Sequence, residues 1–382
     1  MVDRIEQILA TLPELTDVTG VYEVADRRLA QGDAAFVAEL GIALAERHGS
    51  AAGQAWQYKS VFDHLVRMLT ITPGQKNIER ALRLVAAVGS GGRTGDRFLA
   101  SLLAFGQRPE DLAVVFAESS PPAAASEELR ACLVHELVLR GVAVTEVPGI
   151  ARWASSPHWR HHPLGWLPLW LAGVEEAQHL PHYTARSSAY PGSFGPSEGP
   201  GLLQDRALTA GVPAVRETTT PSMAAAMAVA VANWAEKSNG RIEARVFDLA
   251  EPVDAQVVPD TLAAVGLECL SGLTQRSRFS ISSCPPAQPW RMLFFAASVG
   301  GAYNSGCLGA YGRLAAWRSL AGISGAAEGA SAAEVERRVQ ECDWFSFDAD
   351  TGWFEQVAWD IGLAAVRPGR QRLGVLAATD TD

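Results

Sequence analysis

From residue 1 to about 150 the apolar positions recur at helical spacing in block after block: Ile5, Ile8 and Leu9; Phe36, Leu40 and Leu44; Phe62, Val66 and Leu69; Leu82, Leu84, Val85 and Val88; Phe98, Leu102 and Leu103; Leu133, Leu137 and Val138. That period lays one apolar stripe along each of a series of helices. Clusters such as Thr72-Pro73-Gly74 and the stretch from Ser119 to Ala125 punctuate the blocks. The blocks share no self-similar period, so residues 1–150 read as an irregular domain of stacked antiparallel helices rather than a repeat array.

A hinge and loop at 151–200 follows, with tryptophans at 153, 159, 166 and 170 and then a Ser/Gly/Pro-rich stretch from Ala185 to Pro200, the best linker or lid. Beyond it the period changes. Thr220-Pro221 opens a helix, Thr220 as its cap, running through Trp234 to a stop at Gly240. Ile242 to Leu249 alternates as a half-buried strand, and Phe279 to Ser283 and Leu373 to Thr379 read as two more. Asp350 or Thr351 would cap a helix over Trp353 to Ala364. Residues 201–382 therefore read as an α+β half with a small mixed sheet, and the whole chain as α+β.

Composition narrows the classes. The chain has 382 residues, is 48% hydrophobic and 19% charged, and carries 42 acids against 32 bases for a net charge of -10, which excludes disordered, collagenous and disulfide-scaffold classes. Net acidity without a basic tract argues against nucleic acid and anionic membranes as partners. The only lysines are Lys59, Lys76 and Lys237, so chemistry beyond 237 must do without an ammonium group. Five scattered cysteines, Cys132, Cys269, Cys284, Cys307 and Cys342, form no CxxC pair and read as reduced thiols of a cytoplasmic protein. The start lacks the basic region of a signal peptide, and the apolar runs fall short of the ~17 residues that span a bilayer.

The segment Val339 to Val366 holds Glu341, Asp343, Asp348, Asp350, Glu355 and Asp360 with no Lys or Arg, interleaved with Trp344, Phe345, Phe347, Trp353, Phe354 and Trp359. Carboxyls walled by aromatics can stay protonated near neutral pH, as a general acid requires, so Asp348, Asp350 and Asp360 are the candidate acid and base groups. The alternative is structural: acids capping elements or facing water while the aromatics pack inward. Asp348-Ala349-Asp350-Thr351-Gly352 fails as a calcium loop, because Trp353 and Trp359 stand where that loop needs Gly and Glu. No cofactor motif is present, though a divalent cation is compatible with these acids.

A second constellation runs from Gly300 to Arg313. Gly300, Gly301, Gly309, Tyr303, Tyr311 and Arg313, with Trp353 as a wall, are the candidate ligand-binding residues, since glycines before a helix let backbone N–H groups approach an anion and Arg313 offers a fork. The spacing matches neither a dinucleotide nor a Walker fingerprint, and close packing of a helix on a sheet explains the glycines equally. Third, Glu175 and His179 lie at i,i+4 on a helix after Pro168 and, with His182, could hold a metal; surface histidines in a hinge are the plainer reading. Gly195-Pro196-Ser197-Glu198-Gly199 is a literal nucleophile-elbow match, but no strand precedes it.

Gly300 to Trp317, Trp344 to Asp360 and the terminal Leu376 to Asp382 resemble an uncharacterised actinobacterial family known only as a domain of unknown function. The resemblance is strongest over the C-terminal third; it implies a cytosolic bacterial origin and says nothing about activity. Two functions stand open: a small-molecule enzyme, of lyase, isomerase, cyclase or hydrolase type, using the acidic aromatic pocket; or a scaffold whose helical half meets a protein partner. Convergence of the three aspartates in one concavity separates them.

Overall fold

The computed structural model describes residues 2–48, 56–87, 92–117, 125–147, 149–175, 183–184, 187–188, 212–274, 277–354 and 359–381. The chain divides into two compact units, Met1–Gly165 with Thr184–Arg186, and Trp166–Tyr183 with Ser187–Asp382.

The first unit is helical: α1 (Val2–Thr11), α2 (Thr19–Ala30), α3 (Ala34–His48), α4 (Trp56–Ile71), α5 (Gln75–Ala87), α6 (Gly92–Gly106), α7 (Glu127–Leu139), α8 (Ile150–Trp153) and α9 (Pro157–His161). Leu40, Leu44, Val66, Leu69, Leu82, Leu84, Leu102 and Leu103 lie buried in the expected stripes, and on α4 Val61 and Leu65 are buried where Phe62 was expected, Phe62 itself being half-buried. α7 is different, because Leu129 and every residue from Ala131 to Leu139 is buried, which marks a central helix rather than an amphipathic one. Ser126 caps it, its Oγ accepting from the Leu129 N–H at 3.0 Å.

The second unit is built on six strands: β1 (Val215–Glu217), β2 (Arg241–Leu249), β3 (Phe279–Cys284), β4 (Asp343–Ala349), β5 (Trp359–Val366) and β6 (Arg372–Asp380). They lie in the order β1-β2-β6-β5-β4-β3, so the long central strands come from the end of the chain. Every ladder is antiparallel, where the sequence suggested a mixed sheet. One face carries Phe247, Phe345, Phe347, Val375 and Ala377 and is covered by Val253, by Val258 and Leu262 of α12 (Val258–Ala264), and by Leu270, Trp353 and Phe354. The other carries Trp344, Ser346, Leu363 and Leu376 and meets α13 (Ala287–Val299) and α14 (Leu308–Ser324), as Gln288 Nε2 donating to Ser346 Oγ at 3.2 Å shows. α14 comes so close that a Cβ on Gly374 would sit 2.6 Å from the Ile323 carbonyl oxygen. α15 (Ala332–Gln340) follows, opened by a capping box of Ser331 and Glu334.

Two elements differ from expectation. The helix expected over Trp353 to Ala364 is absent; Trp359–Val366 is strand β5 instead. Its residues are buried on both faces from Ile361 to Val366, which turns alternation into a continuous apolar run that resembles a buried helix. The helix expected over 221–240 is broken into α10 (Pro221–Ala228) and α11 (Ala232–Lys237), with the intervening Ala230 N–H bound to Ser319 Oγ at 2.9 Å. Thr220 does cap α10, its Oγ1 accepting from the Met223 N–H. Among the described residues no helix is long and apolar enough to cross a membrane.

Candidate functional site

Strand alternation decides where the three aspartates point. Ser346 is opposite Leu363 across the β4–β5 ladder, so Asp348, two residues on, shares their helix-covered face. Asp360, three positions before Leu363, falls on the opposite face, across from Thr379. Asp350 lies beyond β4, exposed, its N–H donating to the Arg278 carbonyl at 2.8 Å. The structure therefore brings the three to one end of the sheet without converging them. Asp348 is paired with Arg278, Nη2 to Oδ2 at 3.0 Å. Trp353 is part of the core, with the Arg241 guanidinium 5.4 Å above its ring and donating to its carbonyl at 2.6 Å. Glu355 lies outside the described residues.

The glycine-rich loop between α13 and α14 does gather a carboxylate, but one of the chain's own. Ala302 N–H donates to Asp380 Oδ2 at 2.7 Å, and Gly301 N–H to Asn304 Oδ1 at 3.2 Å. Asn233 Nδ2 also donates to Asn304 Oδ1, at 2.7 Å. Gly300 turns with φ +96, and a Cβ on Gly301 would come within 1.9 Å of Asp380 Oδ2. Asp380 itself is only 1% exposed. Tyr303 points outward, while Gly309 is buried and Tyr311 half-buried in the first turns of α14.

Arg313 likewise holds an internal anion. Its Nε and Nη2 donate to Glu175 Oε1 and Oε2, each at 2.6 Å, and both side chains are fully buried. Trp317 Nε1 adds a bond to Oε1 at 2.7 Å and the Ala172 N–H one to Oε2 at 2.9 Å. The rest of the guanidinium donates to the carbonyls of Pro168 and Trp170. Glu175 ends a three-residue 3-10 turn rather than lying on a longer helix, and His179 and His182 lie outside the described residues. Among the described residues no group of three His, Cys, Asp or Glu side chains is arranged to hold a metal. Gly195 to Gly199 and the Ala185 to Pro200 stretch also lie mostly or wholly outside them.

Sequence reasoning missed two groups. One is Arg367, 4% exposed in the turn after β5, whose Nε and Nη2 donate to the Ile323 and Gly322 carbonyls at the end of α14. Burial, with the nearby charges of Arg372 and Arg338, pushes this guanidinium down to about 10. Of the two buried arginines among the described residues it is the one whose hydrogen bonds reach carbonyls and no described carboxylate. Its only sequence signal is an Arg-Pro-Gly turn, which says nothing of burial. The other group is in the first unit, where Glu128 accepts from His162 Nε2 at 3.1 Å and from Arg97 Nε at 3.4 Å, beside Asp96.

Burial, reinforced by the charge of Glu128, raises the Asp96 carboxyl above its ordinary range despite the bond from Ser126. A carboxyl raised in the folded state contributes its stability below the unfolded pKa and loses it as pH rises through the folded one. Asp96→Asn, which keeps an acceptor for Ser126, is therefore expected to outlast the parent in urea at neutral pH, with the gap closing on acidification. A destabilised variant at neutral pH would contradict this. The cysteines offer no nucleophile in the interior: burial pushes Cys284 up to about 12 and Cys342 up to about 11, and raises Cys132 and Cys269 as well.

No curated protein and no solved structure gives a significant match to the chain. The model described as Family of unknown function (DUF6183) matches residues 19–382, and with nearly its whole length matched the chain belongs to that family.

Proposed function

We propose that the chain is a binding protein for a small anionic molecule, seated in a concavity over the turn between α14 and α15. The concavity measures about 460 Å³ and is lined by Gly325 to Ala330, Glu334, Arg337 and Arg338. Arg337 is held by Glu341 at 2.7 Å and Glu334 by the capping box, whereas among the described residues Arg338 is tied through Nε alone, to the Ser324 carbonyl at 3.3 Å. Behind Gly325 stands Arg367, close enough that a Cβ there would lie 2.7 Å from its Cζ.

The buried Arg367 carries this reading. A helix C-terminus supplies roughly half a negative charge, and Asp248, which acts on Arg367 more weakly than Arg372 and Arg338 oppose it, does not make up the rest. An anion over Gly325 would complete the balance, with Arg338 as the group that touches it. The acid/base reading has less support, because Asp348 and Asp360 face opposite sides of the sheet. Five free cysteines favour a cytoplasmic setting.

Thermal unfolding in inorganic phosphate against chloride at equal ionic strength tests the proposal. Phosphate is expected to raise the melting temperature, by an amount worth about 2.7 kcal/mol at a hundredfold excess over Kd. Arg338→Gln should remove the rise. An equal rise in parent and variant, or none in the parent, would overturn it.

A further inference from the structure

We infer that residues 159–165 form a proton-operated latch in the first unit, in which His162 gives up one of its two hydrogen bonds on taking a proton. The inference is independent of the anion site. His162 Nδ1 accepts from the Leu164 N–H at 3.2 Å. A ring nitrogen that accepts from a backbone N–H carries no proton, so the neutral ring is the Nε2–H tautomer. That Nε2–H is the atom aimed at Glu128 Oε2, 3.1 Å away.

Leu164 joins a second imidazole to the first. Its carbonyl lies 2.9 Å from Nε2 of His135, which is fully buried on α7. Both rings stack on Trp159, with centroids at 5.5 Å for His135 and 6.5 Å for His162. Gly165 closes the turn: its N–H donates to the His162 carbonyl at 2.8 Å, and a Cβ there would lie 2.3 Å from the Trp159 carbonyl oxygen. Gly165 is also where the chain leaves the first unit.

A proton from solvent adds at Nδ1, the ring nitrogen without hydrogen. Two donors, Nδ1–H and the Leu164 N–H, then face each other and that bond is lost. The new charge strengthens the contact with Glu128 at the same time. The surrounding groups decide the balance. From α7 these are Glu128, Cys132 and His135; from α6, Asp96 and Arg97, the latter on the other oxygen of Glu128; from α9, His158, Arg160 and His161, all exposed. Protonation thus exchanges a backbone tie at Leu164 for a stronger side-chain tie at Glu128, and loosens the carbonyl that anchors His135.

Amide exchange of Leu164 in the full chain tests the latch. Between about pH 7.5 and pH 5, the span in which imidazoles change charge, its protection corrected for intrinsic exchange should fall roughly three- to tenfold, the worth of one hydrogen bond. His162→Asn places an oxygen where Nδ1 stands and cannot titrate, so its Leu164 protection should hold across the same span. Nitrogen shifts of the parent's imidazoles give a second measurement that needs no variant and should report the Nε2–H tautomer at the higher pH. Unchanged Leu164 protection while the His162 ring titrates, an Nδ1–H tautomer at neutral pH, or the same loss in His162→Asn would each overturn the latch.

Discussion

Glu175→Gln is expected to destabilise the second unit by about 3–5 kcal/mol, the cost of leaving a fully buried guanidinium without its counter-charge. The carboxylate accepts four bonds, two from Arg313 and one each from Trp317 and Ala172, and an amide cannot accept on both heavy atoms. Its NH₂ would face donors in place of acceptors. Urea unfolding measures the loss, and a change below about 1 kcal/mol would mean that water reaches the pair. The double change Glu175→Leu with Arg313→Met supplies the control. With both charges gone no uncompensated ion remains, while Trp317, Ala172 and the Pro168 and Trp170 carbonyls each lose a partner, so the double variant should recover part of the stability lost by the single one.

Gly306→Ala is expected to cost about 3 kcal/mol through overpacking. A Cβ at 306 would lie 2.3 Å from both the carbonyl carbon and oxygen of Ser298 and 2.6 Å from the Gly300 nitrogen, all backbone atoms. None of them can step aside as a side-chain tip can. The Gly306 N–H also bonds the Val299 carbonyl at 2.8 Å, so relief by moving the loop would break the turn that closes α13. Gly352, where a Cβ meets nothing within 4 Å, is the comparison: Gly352→Ala should leave stability nearly unchanged. Equal losses at the two positions would mean that chain entropy rather than close packing governs these glycines.

The helical first half and strands β2 and β3 were legible in the sequence because each carries one apolar face at the period of its element, whereas β6, buried on both faces from Leu373 to Asp380, was legible as a short apolar run of strand length. β4 and β5 were hidden by their central place. In Asp343 to Ala349 both faces are covered, so aromatics appear at neighbouring positions and the period of two dissolves. The acidic segment looked uncompensated because its arginines are remote: Arg278 meets Asp348 across 70 residues, and Arg370 meets Asp343 at 3.1 Å. The same holds for the anion-binding signals. Arg313 and the Gly300 loop were read as receptors for a carboxylate, and each holds one, Glu175 and Asp380, that spacing along the chain could not reveal. What no local pattern marks is a buried cation facing carbonyls, since Arg367 becomes distinctive only once α14 ends against it.

The strand order also bears on the timing of synthesis. β2 pairs with β6 from Arg241↔Thr379 to Asp248↔Arg372, and β6 with β5, so nothing joins β2 to β5, β4 and β3 in the sheet until residues 372–380 have been translated. The helices of the first unit pack against neighbours close in sequence and can condense while the chain is still being made. For as long as the last strands are missing, β2, α13 and the glycine-rich loop wait with their apolar faces unmatched. A pause or truncation before position 372 would therefore release a folded first unit joined to an aggregation-prone second one.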